Sequence, residues 1–253
     1  MNKATFWIRS VALTAAALVG APAVASAESA AQIIGKANRA AFYQGDDGRA
    51  KVRMKIYDAK GNRRLRQFVI LRRNKQKGGD QSYLVMFTRP ADVRRTVFLV
   101  AKRTSGDDDR WMYLPALDLV KRIAASDKRT SFVGSHFFYE DISGRNPRED
   151  RFNIQRTTDR YFVIKGTPRR GKSVEFSHYV VWIDRSTYLP QRIEYFDRRG
   201  KPYRRIEALT VKTIDGLPTI TRMKATDLRG GGHTITTMKG IKYNISLPES
   251  VFA

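Results

Sequence analysis

Residues capable of chemistry gather in the stretch "SFVGSHFFYED", Ser131 to Asp141. His136 and Glu140 are four residues apart and would face the same side of a helix, as metal ligands or an acid–base pair could. A zinc site needs at least three protein ligands, and His178 and His233 lie in strand-like segments without metal-binding spacing. We therefore interpret His136 and Glu140, with the neighbouring Asp141, as hydrogen-bonding groups that hold this stretch in place.

Other catalytic patterns are incomplete. The chain has no cysteine, which excludes thiol chemistry. Ser135, in "VGSH", lacks the second glycine of a G-x-S-x-G nucleophile elbow. The run Asp107 to Asp109 lacks the alternating spacing of a calcium loop, and the glycines at 230–232 do not open a helix as a phosphate-binding loop does. We predict no enzyme, no cofactor and no metal; an enzyme that uses His136 is the disfavoured alternative.

The N-terminal segment predicts export. Residues 1–27 contain Lys3 and Arg9, then a short apolar run, then the A-x-A sequence that ends at Ala27. These are the three parts of a cleavable secretory signal. We predict cleavage before Glu28 and a single mature domain over 28–253, with an uncleaved anchor as the alternative.

Basic residues dominate the composition. The sequence has 48 Lys and Arg against 24 Asp and Glu, a formal net charge of +24. Without Lys3 and Arg9 the charge is +22, enough to attract polyanions. For an exported protein we expect these to be anionic lipids and no nucleic acid. Arg63, Arg64 and Arg66 are our candidates for a membrane-facing or partner-facing surface; the alternative is an ordinary solvated face of a sheet.

Hydrophobic periodicity predicts an α+β fold that is mainly β. Residues 29–43 have a helical apolar stripe, with Ser29 and Gln32 at capping-box spacing. From Lys51 to about residue 115, and again in the second half up to Asn244, strand-like segments separated by turn residues predict many antiparallel strands, several with a period of two. The segment from Thr130 to Ile142 breaks this period and predicts short helix and loop. Since a long sheet with one polar face buries the other, we expect the helices to cover it.

Several strands are apolar on both faces, among them "SYLVMF", "TVFLV" and "HYVVW". The additional apolar side chains can build an ordinary core. They can also line a ligand cavity, because the walls of such cavities are mostly aliphatic and aromatic. The residues alone favour the ordinary core.

Several longer motifs resemble the LolA-like outer-membrane lipoprotein-sorting proteins. They are "WMYLPALDLVKRI", "SFVGSHFFYEDISG", "YVVWIDRSTYLPQRIEYFDRRGK", "VKTIDGLPTITRMKATD" and "HTITTMKGIKYNISLPESVF". Their order and spacing match that family across nearly all of 28–253. The resemblance implies an unclosed antiparallel half-barrel whose concave face is apolar and covered by helices.

The same resemblance implies a non-catalytic periplasmic carrier of lipid or lipoprotein acyl chains. Its implied partners are an inner-membrane exporter or release complex and an outer-membrane acceptor; the basic charge adds the anionic membrane surface as a third expected partner. The alternative is an accessory or scaffold subunit of a lipid-export complex that acts through its basic surface without cargo. Our candidates for the cavity wall are Val97, Leu99, Trp111, Met112, Tyr113, Leu114, Phe132, Phe137, Phe138, Tyr139, Tyr179 and Val181.

Overall fold

The computed structural model describes Met1 and residues 27–253. The predicted signal therefore lies almost entirely outside the described residues. The helices are α1 (Ala30–Phe42) and α2 (Tyr139–Ser143). The strands are β1 (Asp47–Tyr57), β2 (Arg63–Asn74), β3 (Gln81–Arg89), β4 (Val97–Lys102), β5 (Asp109–Leu114), β6 (Leu119–Ile123), β7 (Asp150–Thr157), β8 (Tyr161–Pro168), β9 (His178–Asp184), β10 (Pro190–Phe196), β11 (Pro202–Ile214), β12 (Leu217–Asp227) and β13 (His233–Tyr243).

All thirteen strands form one antiparallel sheet. Its order is β6-β5-β4-β3-β2-β1-β13-β12-β11-β10-β9-β8-β7, so β1 pairs with β13 in the middle and β6 and β7 are the edges. The sheet curves without closing, which makes it a half-barrel with a concave and a convex face. The predicted mainly β, α+β architecture is confirmed.

Helix α1 forms because its sequence satisfies both requirements of a short amphipathic helix. The Ser29 hydroxyl accepts from the Gln32 backbone N–H, and Oε1 of Gln32 accepts from the Ser29 backbone N–H, which is the predicted capping box. Ile33, Ile34 and Ala37 are its buried residues and belong to the main core. Small alanines elsewhere in the helix let it lie close to the sheet.

The second cover is the long connection between the two edge strands, residues 124–149, which we call the insertion. It contains a 3-10 helix at Ala125–Arg129, then α2. Between them the backbone N–H of Phe132 donates to the carbonyl of Phe137 at 2.8 Å, so "SFVGSHF" folds back on itself. His136 precedes α2, so His136 and Glu140 do not share a helix face.

Within the described residues, no helix combines the length and apolar composition that crossing a membrane requires.

Candidate binding cavity

An apolar cavity of about 320 Å³ lies between the concave face of the sheet, α1 and the insertion. This volume is at the lower end of the range, about 300–1,000 Å³, that small-molecule sites occupy. Ala37 and Ala41 of α1 line one side, and Phe137 and Ile142 of the insertion line another. The sheet supplies the rest of the wall, principally Val52, Met54, Phe68, Ile70, Tyr179, Val181, Ile183, Ile193, Tyr195, Ile206, Met223 and Met238.

Several side chains of this wall are apolar, point inward and are still only half-buried. Ile70, Ile193, Met223 and Met238 pack against the core on one side but retain exposure on the other. In a filled core such residues would be covered by neighbouring protein atoms. The concave face therefore holds apolar surface that the chain itself does not cover.

A few polar groups interrupt this wall. At the α1 end, the Tyr243 hydroxyl donates to Oε1 of Gln44 at 3.0 Å and lies 2.9 Å from the Thr219 hydroxyl. The buried Thr236 hydroxyl also lines the cavity and has no hydrogen-bond partner among the described residues. The wall can thus hold an apolar chain and offers isolated hydrogen-bonding groups to it.

The insertion is held to the sheet by a group of charged side chains, which we call the ion cluster: Arg129, Glu140, Arg145, Asp150 and Glu175. All but Glu175 are largely buried, and 40% of the Glu175 side chain is exposed. Glu140 accepts from Nη1 of Arg129 at 2.8 Å and from Nη1 of Arg145 at 3.1 Å. The same two arginines reach Glu175 at 2.8 Å and Asp150 at 2.8 Å. Because Asp150 belongs to β7, the cluster joins the insertion to the edge of the sheet.

Glu140 is the centre of this cluster, with 2% of its side chain exposed. Burial alone would raise its pKa, but the charges of Arg129, Arg145 and Lys128 lower that pKa to about 2. Glu140 is therefore ionised at neutral pH, where it neutralises part of the positive charge around it.

Asp141 and His136 add further ties. Arg204 of β11 pairs with Asp141 and donates from Nη2 to the carbonyl of His136 at 3.2 Å. Nδ1 of His136 lies 2.9 Å from the Thr234 hydroxyl. Burial is the main cause of the lowered pKa of His136. These contacts agree with the expected holding role of His136, Glu140 and Asp141. In the described part of the chain, no three His, Cys, Asp or Glu side chains form a metal-binding group.

Only three of the twelve residues predicted to form the cavity wall line it: Phe137, Tyr179 and Val181. Phe132 and Tyr139 are inside the fold but pack in an aromatic group with Phe98, at centroid distances of 5.2 to 5.5 Å. The Phe138 ring is covered by the Arg204 guanidinium at 3.9 Å.

Four of the six predicted wall residues in β4 and β5 lie on the opposite face of the sheet. Register pairs Val97 with Tyr113 and Leu99 with Trp111 on the convex face, opposite the cavity. Met112 belongs to the core and Leu114 packs against it, but neither lines the cavity. The alternation of polar and apolar residues predicted the wrong face for these strands because their buried face also carries Lys102 and Arg110, which are 3% and 2% exposed.

Lys102 and Arg110 can lie on this buried face because each has a polar partner there. The Lys102 ammonium donates to the carbonyls of Ser143 and Gly144, and Arg110 pairs with Asp108 at 2.6 Å. In the sequence, such buried polar residues give the same pattern as residues on the solvent-exposed face of a strand. The missed wall residues of β10 to β13 had a clearer signal, since Ile193, Met223 and Met238 alternate with Arg192, Arg222 and Lys239.

The three predicted surface arginines lie at one end of the sheet, where β1 turns into β2. Arg63 and Arg64 are exposed, and Arg64 donates to the carbonyl of Gly134 in the insertion at 3.1 Å. Arg66 is mostly buried, with 13% of its side chain exposed, and lies 3.5 Å from Asp92.

Comparison with known proteins identifies relatives over nearly the whole described chain. A family model described only as an uncharacterised protein matches residues 79–253. No curated protein matches the chain. The structure of a DUF1329 family protein from Desulfovibrio piger is 30% identical, with a TM-score of 0.77, and the match covers 83% of this chain and 90% of that one.

Two further structures carry more specific names. A putative outer membrane lipoprotein-sorting protein domain from Vibrio parahaemolyticus is 28% identical, with a TM-score of 0.79 and coverage of 88% and 95%. A LolA superfamily protein from Nitrosomonas europaea is 21% identical, with a TM-score of 0.69 and coverage of 90% and 98%, and shares the fold. The chain belongs to the DUF1329 family, and its structural matches include proteins named for lipoprotein sorting and for the LolA superfamily, the group that its motifs resemble.

Proposed function

We propose that the chain is a periplasmic carrier that encloses an acyl chain of a lipid or lipoprotein and moves it between the inner and outer membranes. The observation that carries this proposal is the uncovered apolar surface of the concave face, at Ile70, Ile193, Met223 and Met238. The name of the Vibrio relative supports a sorting role of this general kind.

Energetics favour one acyl chain as the cargo. Enclosing apolar chain contributes about 0.8 kcal/mol per buried CH₂, so a dozen methylenes hold a lipid firmly in water. A cavity of about 320 Å³ suits one such chain better than several. No step of this function breaks a covalent bond, and the proposal needs no catalytic residue.

The two covers have different parts in loading. The insertion is fixed by the ion cluster, whereas the first turns of α1 are tied outside the core by Glu28, Lys36 and Tyr188. Exposed pairs of this kind contribute little to stability. Cargo therefore enters by displacement of α1, and a donor or acceptor complex drives that displacement.

A cavity-filling substitution tests the proposal. Ala208 of β11 lines the cavity, and the next residue, Leu209, is 41% exposed. Ala208→Trp should reduce binding of a fluorescent fatty acid at least tenfold, because the indole occupies the space of the chain. Leu209→Trp is the matched control and should bind as the parent does.

Circular dichroism and thermal unfolding would verify that both variants are folded. If folded parent protein does not bind the probe, or if Ala208→Trp binds it normally, the cavity does not hold acyl chains. A cargo-free scaffold would then be the better account.

A further inference from the structure

One end of the half-barrel carries a concentration of basic residues. Antiparallel order brings six connections to this end: 58–62, 90–96, 115–118, 169–177, 197–201 and 228–232. We call them the basic rim. They hold ten basic and five acidic residues: Lys60, Arg94, Arg95, Arg169, Arg170, Lys172, Arg198, Arg199, Lys201 and Arg229 against Asp58, Asp92, Asp118, Glu175 and Asp197. The strand-to-strand connections at the opposite end, 75–80, 103–108, 158–160, 185–189 and 215–216, are balanced, with five basic and five acidic residues.

Most acids of the basic rim are engaged within their own turns or with the insertion. Asp197 accepts from the backbone N–H groups of Arg199 and Lys201, at 2.8 and 3.0 Å. Asp58 does the same for Lys60, and Asp118 accepts from the Tyr113 hydroxyl at 2.9 Å. The basic side chains of these turns remain exposed, so their charge faces solvent.

An apolar tip projects at the same end. Leu117 is 70% exposed, Leu119 46% and Val120 62%, all within the turn and edge strand that follow β5. On the convex face Tyr113 pairs with Val120 and Trp111 with Arg122, so two aromatic rings flank this tip. Exposed apolar residues on an edge strand invite aggregation unless they have a partner.

Basic residues beside an exposed apolar tip are the chemistry that an anionic membrane surface binds. Exposed cations attract anionic headgroups, exposed aliphatic residues enter the acyl region, and Trp and Tyr favour the boundary between the two. We propose that the basic rim and the apolar tip dock on a bilayer that contains anionic phospholipid.

Docking in this orientation brings the insertion next to the membrane. Gly134 contacts Arg64 of the rim end, and Phe137 and Ile142 of the same insertion line the cavity. This inference goes beyond the carrier proposal, since membrane docking requires no cargo.

Vesicle binding tests the inference on the full chain. The probes are vesicles of phosphatidylcholine alone and vesicles with added phosphatidylglycerol, at low and high salt. We expect binding only to the anionic vesicles, reduced at least tenfold by 0.5 M salt because counterions screen the contacts.

Two charge variants locate the surface. Arg198→Gln with Arg199→Gln removes two cations from the basic rim, and Lys75→Gln with Lys77→Gln removes two from the opposite end. We expect the first pair to weaken binding at least tenfold and the second less than threefold. Equal losses from both pairs would show attraction by net charge alone and would overturn the docking surface.

The apolar tip has its own control. Leu117→Ser with Val120→Ser should abolish the blue shift of Trp111 fluorescence on anionic vesicles, whereas Leu209→Ser should preserve it. A folded parent protein that ignores anionic vesicles, or a tip variant that behaves as the parent does, would overturn the proposal. Fatty-acid binding measured in parallel separates this failure from failure of the carrier function.

Discussion

The two covers of the cavity are built in opposite ways. The insertion is fixed by charges withdrawn from water, with Glu140 between Arg129 and Arg145. Helix α1 is fixed by a cap, by a small apolar face and by hydrogen bonds to its C-terminal carbonyls, principally from Arg72. Removing one partner from a buried ion cluster is far more destructive than removing an exposed contact. The difference indicates a permanent wall and a movable one.

The largest expected effect comes from the permanent wall. Glu140→Gln leaves Arg129 and Arg145 buried with less negative charge, and should lower the free energy of unfolding by about 3–5 kcal/mol. Denaturant titration measures this loss. The matched control is Glu249→Gln, because Glu249 is 74% exposed and lies 3.7 Å from Arg73; it should change stability by less than about 1 kcal/mol.

A loss below about 1 kcal/mol for Glu140→Gln would contradict the permanent wall. In that case the charges around the insertion would be hydrated enough to tolerate the missing carboxylate.

Acid should weaken the same wall. The pKa of Glu140 is lowered from 4.5 to about 2, with burial opposing and Arg129 and Arg145 producing the shift. A lowered carboxyl pKa stabilises the fold above the unfolded value of 4.5, and that contribution is lost as pH falls through about 2. We expect unfolding monitored by circular dichroism to lose about 3 kcal/mol between pH 5 and pH 2 from this group.

Glu140→Gln removes the titrating group and serves as the reference. Its stability should fall less steeply than that of the parent over the same pH interval, and parallel pH curves would assign the acid sensitivity to other carboxylates.

A smaller and more local effect is expected at the movable wall. Arg72 donates to the carbonyl of Phe42, the last residue of α1, and to the carbonyls of Gln44 and Gly45 just after it. Arg72→Gln should cost about 1.5–3 kcal/mol, since these are hydrogen bonds from a charged donor. Hydrogen exchange should accelerate in α1 and remain slow in the insertion.

The neighbouring Arg73→Gln is the control, because Arg73 pairs only loosely with the exposed Glu249. Equal acceleration of exchange in both covers by Arg72→Gln would remove the distinction between them.

The sequence predicted the architecture well because each element had a local cause. The capping box of Ser29 and Gln32 marked α1, and period-two alternation with intervening turns marked the strands. The break in that period after Thr130 marked the insertion. Each of these signals depends on residues close together in the chain.

The cavity wall was harder to predict because it depends on strand register and distant partners. In β4 and β5 both faces are largely apolar, and Lys102 and Arg110 are buried by contacts with Gly144 and Asp108. A shift of one residue exchanges the faces of a strand, so Leu99 and Trp111 were placed inside. The basic rim was equally hidden, since its six turns are dispersed in sequence and meet only through the sheet order.

The central claim is that the cavity carries an acyl chain, and lipid extraction tests it most directly. Folded protein is purified from its native envelope without detergent and extracted with organic solvent, and the extract is analysed by mass spectrometry. We predict an amphiphile with acyl chains, in an amount close to one molecule per protein and strongly reduced in Ala208→Trp. An extract free of lipid, from parent protein that also fails to bind added fatty acid, would contradict the carrier function.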